Sequence, residues 1–135
     1  MAHALVDSSV LLDVLTEDAV WFEWSSGILT QYSERHVLAI NPIIYAEVSI
    51  RFERIEELDA ALPKNLVRRL PIPMAAAFLA GKCFMQYRRR GGPRQTTLPD
   101  FFIGAHAAIE DMPLVTRDAA RYRTYFPKLQ VVAPA

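Results

Sequence analysis

The chain has 135 residues, enough for one domain with a real core and no more. Hydrophobic residues make up 52% and charged residues 22%, a globular balance rather than a disordered one. Lysine plus arginine equals aspartate plus glutamate at 15 each, so net charge gives no general pull toward nucleic acid, membrane or acidic substrates.

Cys83 is the sole cysteine, which excludes an internal disulfide framework and suits a reducing, cytoplasmic setting. No apolar run is long enough to span a membrane, and the N-terminus lacks a charged-then-apolar signal pattern. Nine prolines punctuate the chain without low complexity or repeats. The chain is expected to be complete as a single domain, 1–135.

In chain order, "ALV" (4–6) is a short apolar run that ends at Asp7, Ser8 and Ser9, and it predicts a buried strand. "VLLDVL" follows with Val10, Leu11, Val14 and Leu15 at helical spacing. "VLAI" (37–40) is the next strand. Asn41 and Pro42 then open a helix, as N-cap and first helical residue, that runs through "IIYAEVSIRF". A helical segment over roughly 54–62 is interrupted by Pro63, and "LPIP" (70–73) is a strand or turn. A long helix, "MAAAFLAGKCFMQYRRR", is stopped by Gly91, Gly92 and Pro93. After a polar loop, "TTLPDFFIGAHAAI" (96–109) predicts a nearly all-apolar helix with Asp100 in its first turn. "PLVT" (113–116) is a strand, "RDAARYRTYF" a short helix, and "LQVV" (129–132) a last strand. Short apolar strands alternating with helices predict an α/β fold with a mostly parallel central sheet.

In such folds the site lies beyond the carboxyl ends of the strands. Four acids fall there: Asp7 after the first strand, Glu47 in the second turn of the helix after the second strand, Asp100, and Asp118 just after "PLVT". Each has a structural explanation. Asp7 or Asp118 can cap a helix, Asp100 can close a capping box with Thr97, and Glu47 can pair with Arg51. Glu47 stands out, because at 100° per residue it falls among Ile43, Ile44, Val48 and Ile50, while the polar arc holds Ser49 and Glu53. A charge in an apolar arc is costly unless paired or bound to a cation. Four carboxylates in one cleft would repel each other and take up protons unless a cation joined them. Oxygen-only ligands favour Mg2+ or Mn2+, ions suited to phosphodiester hydrolysis without a side-chain nucleophile.

The chain resembles a PIN domain, and specifically the toxin of a VapBC toxin–antitoxin pair. The resemblance rests on "LVDSSVLLDVL", "INPIIYAEV" and "LPDFFIGAHAAIEDMPLVTRDAARYRTYFPKLQVV", whereas residues 54–97 carry no family pattern. It implies a PIN-like three-layer sandwich. The family's four acids match Asp7, Glu47, Asp100 and Asp118 as the catalytic set, with Asp7, Asp100 and Asp118 as metal ligands. Its supporting hydroxyls match Ser8 and Thr116. The resemblance further implies an endoribonuclease dependent on Mg2+ or Mn2+, a cognate antitoxin and a homodimer. Members of the family cut different structured RNAs, including transfer and ribosomal RNA.

Arg88, Arg89, Arg90 and Arg94 surround "GGP", and with Arg117 they are candidates to hold RNA phosphates. A solvated helix C-terminus explains the run equally well. Trp21, Phe22 and Trp24 read as core packing, or more sharply as a dimer or antitoxin surface. His106 reads as a packed histidine and Cys83 as a small core residue. Asp13 lies on the helix of the first acid, away from its apolar side, as an outside candidate.

Two other folds put acids in similar places. A haloacid-dehalogenase phosphatase needs a second Asp two residues after the first, and Ser9 stands there. A receiver-like signalling module needs an Asp ending a middle strand and a Lys after a late one. Here the middle strand ends in Asn41, and Lys128 precedes its strand. A metal-binding interaction module without nuclease activity is the remaining alternative.

Overall fold

The computed structural model describes residues 1–91 and 97–135. Five strands form one sheet: β1 (His3–Val6), β2 (Val37–Ile40), β3 (Val67–Arg69), β4 (Leu114–Val115) and β5 (Val131–Val132). Their order is β3-β2-β1-β4-β5 and every pair is parallel. The helices are α1 (Ser8–Leu15), α2 (Phe22–Ser33), α3 (Pro42–Ser49), α4 (Ile55–Ala61), α5 (Met74–Arg89), α6 (Leu98–Ile109) and α7 (Ala120–Arg123). The chain thus adopts the expected α/β class, a parallel sheet flanked by helices.

β1 is central, and Ala4, Leu5 and Val6 are fully buried, which is why its sequence is continuously apolar. Leu5 pairs with Ala39 on one side and Leu114 on the other. Ile40, Ile44, Val48, Ile103 and Tyr122 complete the main core around the sheet, and each large aliphatic side chain so buried contributes about 1.5–3 kcal/mol. A second cluster joins α5 and α6 through Ala76, Ala80, Cys83, Tyr87, Phe101, Ala105 and Phe126. The ring of Phe101 lies against Phe84, Tyr87, Tyr125 and Phe126.

The strand order positions the site. From β1 the chain steps outward to β2 and β3, then returns past β1 to lay down β4 and β5 on the other side. The connections leaving β1 and β4 diverge, and a crevice opens at their carboxyl ends. The residues that follow these strands are Asp7 and Thr116–Asp118.

Four elements differ from the sequence expectation. Residues 22–33 form α2, which the pattern reading passed over although Trp24, Ile28, Leu29 and Tyr32 pack on the core at helical spacing. The strand or turn expected at 70–73 is a non-strand connection that follows a strand at 67–69. Leu70 still donates its N–H to Ile40 (2.8 Å), but Pro71 and Pro73 have no N–H to extend the ladder. α3 stops at Ser49, where the N–H groups of Arg51 and Phe52 turn to three-residue bonds with Val48 and Ser49. The helix expected over 117–126 contracts to the single turn α7. Among the described residues no helix is long and apolar enough to cross a membrane.

Candidate active site

Asp7 leaves β1 and caps α1, as its place in the sequence allows. Oδ1 accepts the backbone N–H of Ser8 (2.8 Å). Oδ2 points the other way and accepts two hydroxyls, Thr116 Oγ1 at 2.8 Å and Tyr122 at 2.9 Å. The carboxylate is buried, with 5% of the residue exposed.

Ser8 links the first acid to the second. Its hydroxyl donates to Glu47 Oε1 (3.0 Å) and lies 3.5 Å from Asp7 Oδ1. Glu47 is held there by α3, whose start is fixed as the sequence predicts: Asn41 Oδ1 caps the N–H of Ile44 (2.9 Å), with Pro42 as the first helical residue. The apolar arc around Glu47 is only partly buried. Ile44 and Val48 are fully enclosed, whereas Ile50 is 81% exposed, so Glu47 sits at the border of the core facing the crevice.

Asp100 occupies the third position of α6 and also serves twice. Its Oδ2 accepts the N–H (2.9 Å) and hydroxyl (3.0 Å) of Thr97, the capping box expected from the sequence. Its Oδ1 lies 3.5 Å from a guanidinium nitrogen of Arg121. Asp118 differs from the other three. Its side chain is 47% exposed, makes no cap to α7, and lies 3.7 Å from Nε of Arg121. Thr116 joins the two ends of the site, because the oxygen that donates to Asp7 also accepts the N–H of Asp118 (3.1 Å).

The acids influence one another. Burial pushes the Asp7 carboxyl above the ordinary carboxylate range; its hydroxyl and backbone donors offset part of the rise, and the charge of Asp100 adds to it. Glu47 is raised for the same first reason, desolvation, with Asp7 and Asp100 contributing. Tyr122 is raised by burial and by the neighbouring carboxylates, so it stays a protonated donor. Arg121 loses some solvation by half-burial, but Asp100 and Asp118 more than offset this and raise its pKa. Asp7, Glu47 and Asp100 therefore share one field, with Arg121 as its cation.

The other candidate residues fall as follows. Arg88, Arg89 and Arg90 are exposed at the end of α5. Tyr87 and Phe101 touch (5.5 Å between rings), so this end of α5 lies beside the start of α6, which carries Asp100. The guanidinium of Arg88 lies over Phe84 and that of Arg90 over Tyr125. Arg94 lies outside the described residues. Arg117 turns inward: its Nε is 2.9 Å from Oδ2 of Asp13, and its guanidinium lies over Trp21. Asp13 is buried under α2 and accepts the hydroxyl of Ser25 (2.7 Å). It faces away from the apolar side of α1, as read from the sequence, but α2 covers that face too. His106 is a packed histidine with Nδ1 3.0 Å from the Asn41 side-chain amide, and burial lowers its pKa. A cavity of about 490 Å³ lined by His3, His106, Glu110 and Asp111 includes none of the four acids. Arg121 and Tyr122 carry no sequence mark of a site; both lie on α7, where Tyr122 reaches Asp7 at the end of β1 and Arg121 reaches Asp100 and Asp118.

The donor set suits a hard divalent ion in kind, since carboxylate and hydroxyl oxygens line the crevice. In arrangement it is not closed around one. Among the described residues no three Asp, Glu, His or Cys side chains stand close enough to hold an ion together. The guanidinium of Arg121 lies between Asp100 and Asp118.

The PIN domain family profile matches residues 4–127. No curated protein matches the chain at significant similarity. Among solved structures, the fold is similar to a chain of VapBC-1 from nontypeable Haemophilus influenzae (TM-score 0.74, 18% identity, 98% of each chain). It is similar to a chain of VapBC2 from Rickettsia felis bound to a promoter DNA fragment (0.73, 16%, 97% of each). A toxin–antitoxin complex from Klebsiella pneumoniae gives 0.70 at 21% identity over 98% of each chain. With the family profile spanning nearly its whole length, and with the parallel sheet and crevice acids described above, the chain belongs to the PIN domain family.

Proposed function

We propose that this protein is a metal-dependent endoribonuclease that hydrolyses RNA phosphodiester bonds, and that it acts in the cytoplasm as the homodimeric toxin of a VapBC-type pair held in check by a cognate antitoxin. The observation that carries the reading is the meeting of Asp7, Glu47 and Asp100, from three separate elements, in one crevice, where burial first and neighbouring carboxylates second raise the proton affinity of Asp7 and Glu47. Such a field calls for a cation. PIN family membership and the fold shared with chains of VapBC complexes support the toxin role.

In this reading Asp7, Asp100 and Asp118 hold Mg2+ or Mn2+. The ion would polarise the phosphoryl group and lower the pKa of a water. Glu47, whose carboxyl is raised toward neutrality, would take the proton from the attacking water. Ser8 fixes Glu47, and Thr116 fixes Asp7, by the hydrogen bonds already described. Arg88, Arg89, Arg90 and Arg94, with Arg117 braced by Asp13, would hold phosphates flanking the scissile bond.

The test incubates purified protein with structured transfer and ribosomal RNAs in Mn2+, in Mg2+ and in EDTA, with Asp7→Asn as control. Cleavage that needs the ion and is lost in the folded variant supports the reading. Equal cleavage in excess EDTA would overturn it.

A further inference from the structure

Two of the four acids have a cation from the chain itself beside them. Arg121 lies 3.5 Å from Asp100 Oδ1 and 3.7 Å from Asp118 Oδ2. Both distances are longer than a well-formed charge-assisted hydrogen bond, at roughly 2.7–2.9 Å, so the guanidinium neutralises the acids without being locked to either. It is 43% exposed and stands on the one-turn helix α7, so it can swing into solvent without breaking a core contact. The other acids are tied down by uncharged donors: Asp7 by Ser8, Thr116 and Tyr122, and Glu47 by Ser8. Arg121 is thus the one side chain that makes an ion pair with any of the four acids among the described residues.

We propose that Arg121 is an internal counter-cation of the acid crevice, a clasp across Asp100 and Asp118 that a divalent cation must open in order to bind. This inference rests on the reading that the crevice takes such a cation, and it adds a specific consequence. The protein's apparent affinity for the ion is lowered by the fraction of molecules in which the clasp is closed, as for any ligand whose competent state is only partly populated. The clasp also keeps Asp100 and Asp118 from repelling in the metal-free protein, so one side chain lowers metal affinity and raises metal-free stability together.

The experiment titrates Mn2+ into wild type, Arg121→Gln and Arg123→Gln by calorimetry, and melts each protein in EDTA. Arg123 is exposed on the same helix, so its variant makes the same charge change without touching the clasp. Two part-exposed ion pairs predict roughly fivefold or tighter Mn2+ binding by Arg121→Gln, with a lower melting temperature in EDTA. Arg123→Gln should match wild type in both. Arg121→Lys is measured alongside in case the glutamine variant does not fold; its ammonium, a single point charge, should fall between wild type and Arg121→Gln. Equal or weaker Mn2+ binding by folded Arg121→Gln, or the same gain in Arg123→Gln, overturns the clasp and leaves the metal reading standing. If no protein binds Mn2+, the metal reading fails and the clasp fails with it.

Discussion

Tyr122 donates its phenolic hydroxyl to Asp7 across 115 residues of sequence, at 2.9 Å, with both residues buried. The same oxygen of Asp7 accepts the hydroxyl of Thr116. A hydrogen bond to a charged acceptor contributes about 1.5–3 kcal/mol, and the ring of phenylalanine would fill the same space. Tyr122→Phe should therefore fold, lose about that much stability at neutral pH, and let the Asp7 carboxyl rise further. In a nuclease assay the acid limb of the pH profile should move upward. Thermal melts and a pH–rate profile check this; an unchanged limb together with an unchanged melt would show that Tyr122 does not set the state of Asp7.

The raised carboxyls of Asp7 and Glu47 fix the sign of a pH effect. A group whose pKa is higher in the folded than in the unfolded chain binds more protons when folded. Its contribution to stability is present below the ordinary carboxylate range and is lost as pH rises through the folded pKa. In EDTA, melting temperature should therefore fall as pH rises from that range toward neutrality. Asp18 and Asp59, both lowered, act in the opposite sense as pH drops through and below the ordinary range, and His106, lowered by burial, opposes the fall as pH rises to the ordinary histidine value, so the effect of the acids is read as the difference between wild type and Glu47→Gln. Mn2+ should reverse the slope near neutrality, because it binds the ionised acids. A pH slope in EDTA that Glu47→Gln leaves unchanged would show that the crevice acids are not coupled as described.

Gly104 lies in the middle of α6, and a β-carbon there would overlap the ring of Phe126. That ring is buried against Phe101 and cannot easily move away. Alanine would gain up to about 1 kcal/mol of helix propensity, but overpacking a closed core costs about 1–3 kcal/mol. The overlap should win, and Gly104→Ala should melt several degrees lower. A neutral or stabilised variant would mean that the 124–129 segment yields.

How far the site could be read from the sequence follows from how each residue is held. Asp7, Asp100 and Asp118 follow short apolar strands or open an apolar helix, and Glu47 interrupts an apolar arc. Those are local patterns, and all four acids lie at the crevice. Arg121 and Tyr122 carry no such mark. "AARYR" reads as an ordinary solvated helix face, yet Tyr122 reaches Asp7 and Arg121 reaches Asp100 and Asp118. Arg117 was legible as a cation, but its pairing with Asp13 depends on α2, whose cover over that side of α1 the pattern reading passed over. β3 is not legible in the sequence because Val67–Arg69 is an edge strand with one buried residue, the opposite of the continuous apolar run that marks β1.

The arginine run at the end of α5 is a test of substrate holding. Arg88, Arg89 and Arg90 are exposed, and they lie at the end of α5 that packs beside the start of α6. Each phosphate contact releases counterions, so replacing all three by serine should weaken RNA binding and flatten its salt dependence. Filter binding across a salt series measures this, and an identical slope would return the run to a solvated helix terminus.

The four acids should respond differently to loss of charge, and the differences follow from their partners. Glu47 is half-buried, is raised by desolvation and by its neighbours, and accepts a hydrogen bond from Ser8. Glu47→Gln keeps a carbonyl for Ser8 and removes a repelled charge, so it should raise the melting temperature in EDTA at neutral pH. Asp100 is paired with Arg121 and caps Thr97, so Asp100→Asn forfeits an ion pair and the acid of a capping box and should be neutral or destabilising. Asp118→Asn loses only a loose, half-exposed pair and should change little. Asp7→Asn must turn an amide N–H toward donors that surround both oxygens, and should lose stability despite losing a charge. Mn2+ should stabilise wild type by mass action and each variant less. A melt series of these four variants with EDTA and with Mn2+ decides the matter. If Asp100→Asn gained more than Glu47→Gln in EDTA, Arg121 would not be neutralising Asp100, and the balance of charge assigned to this crevice would be wrong.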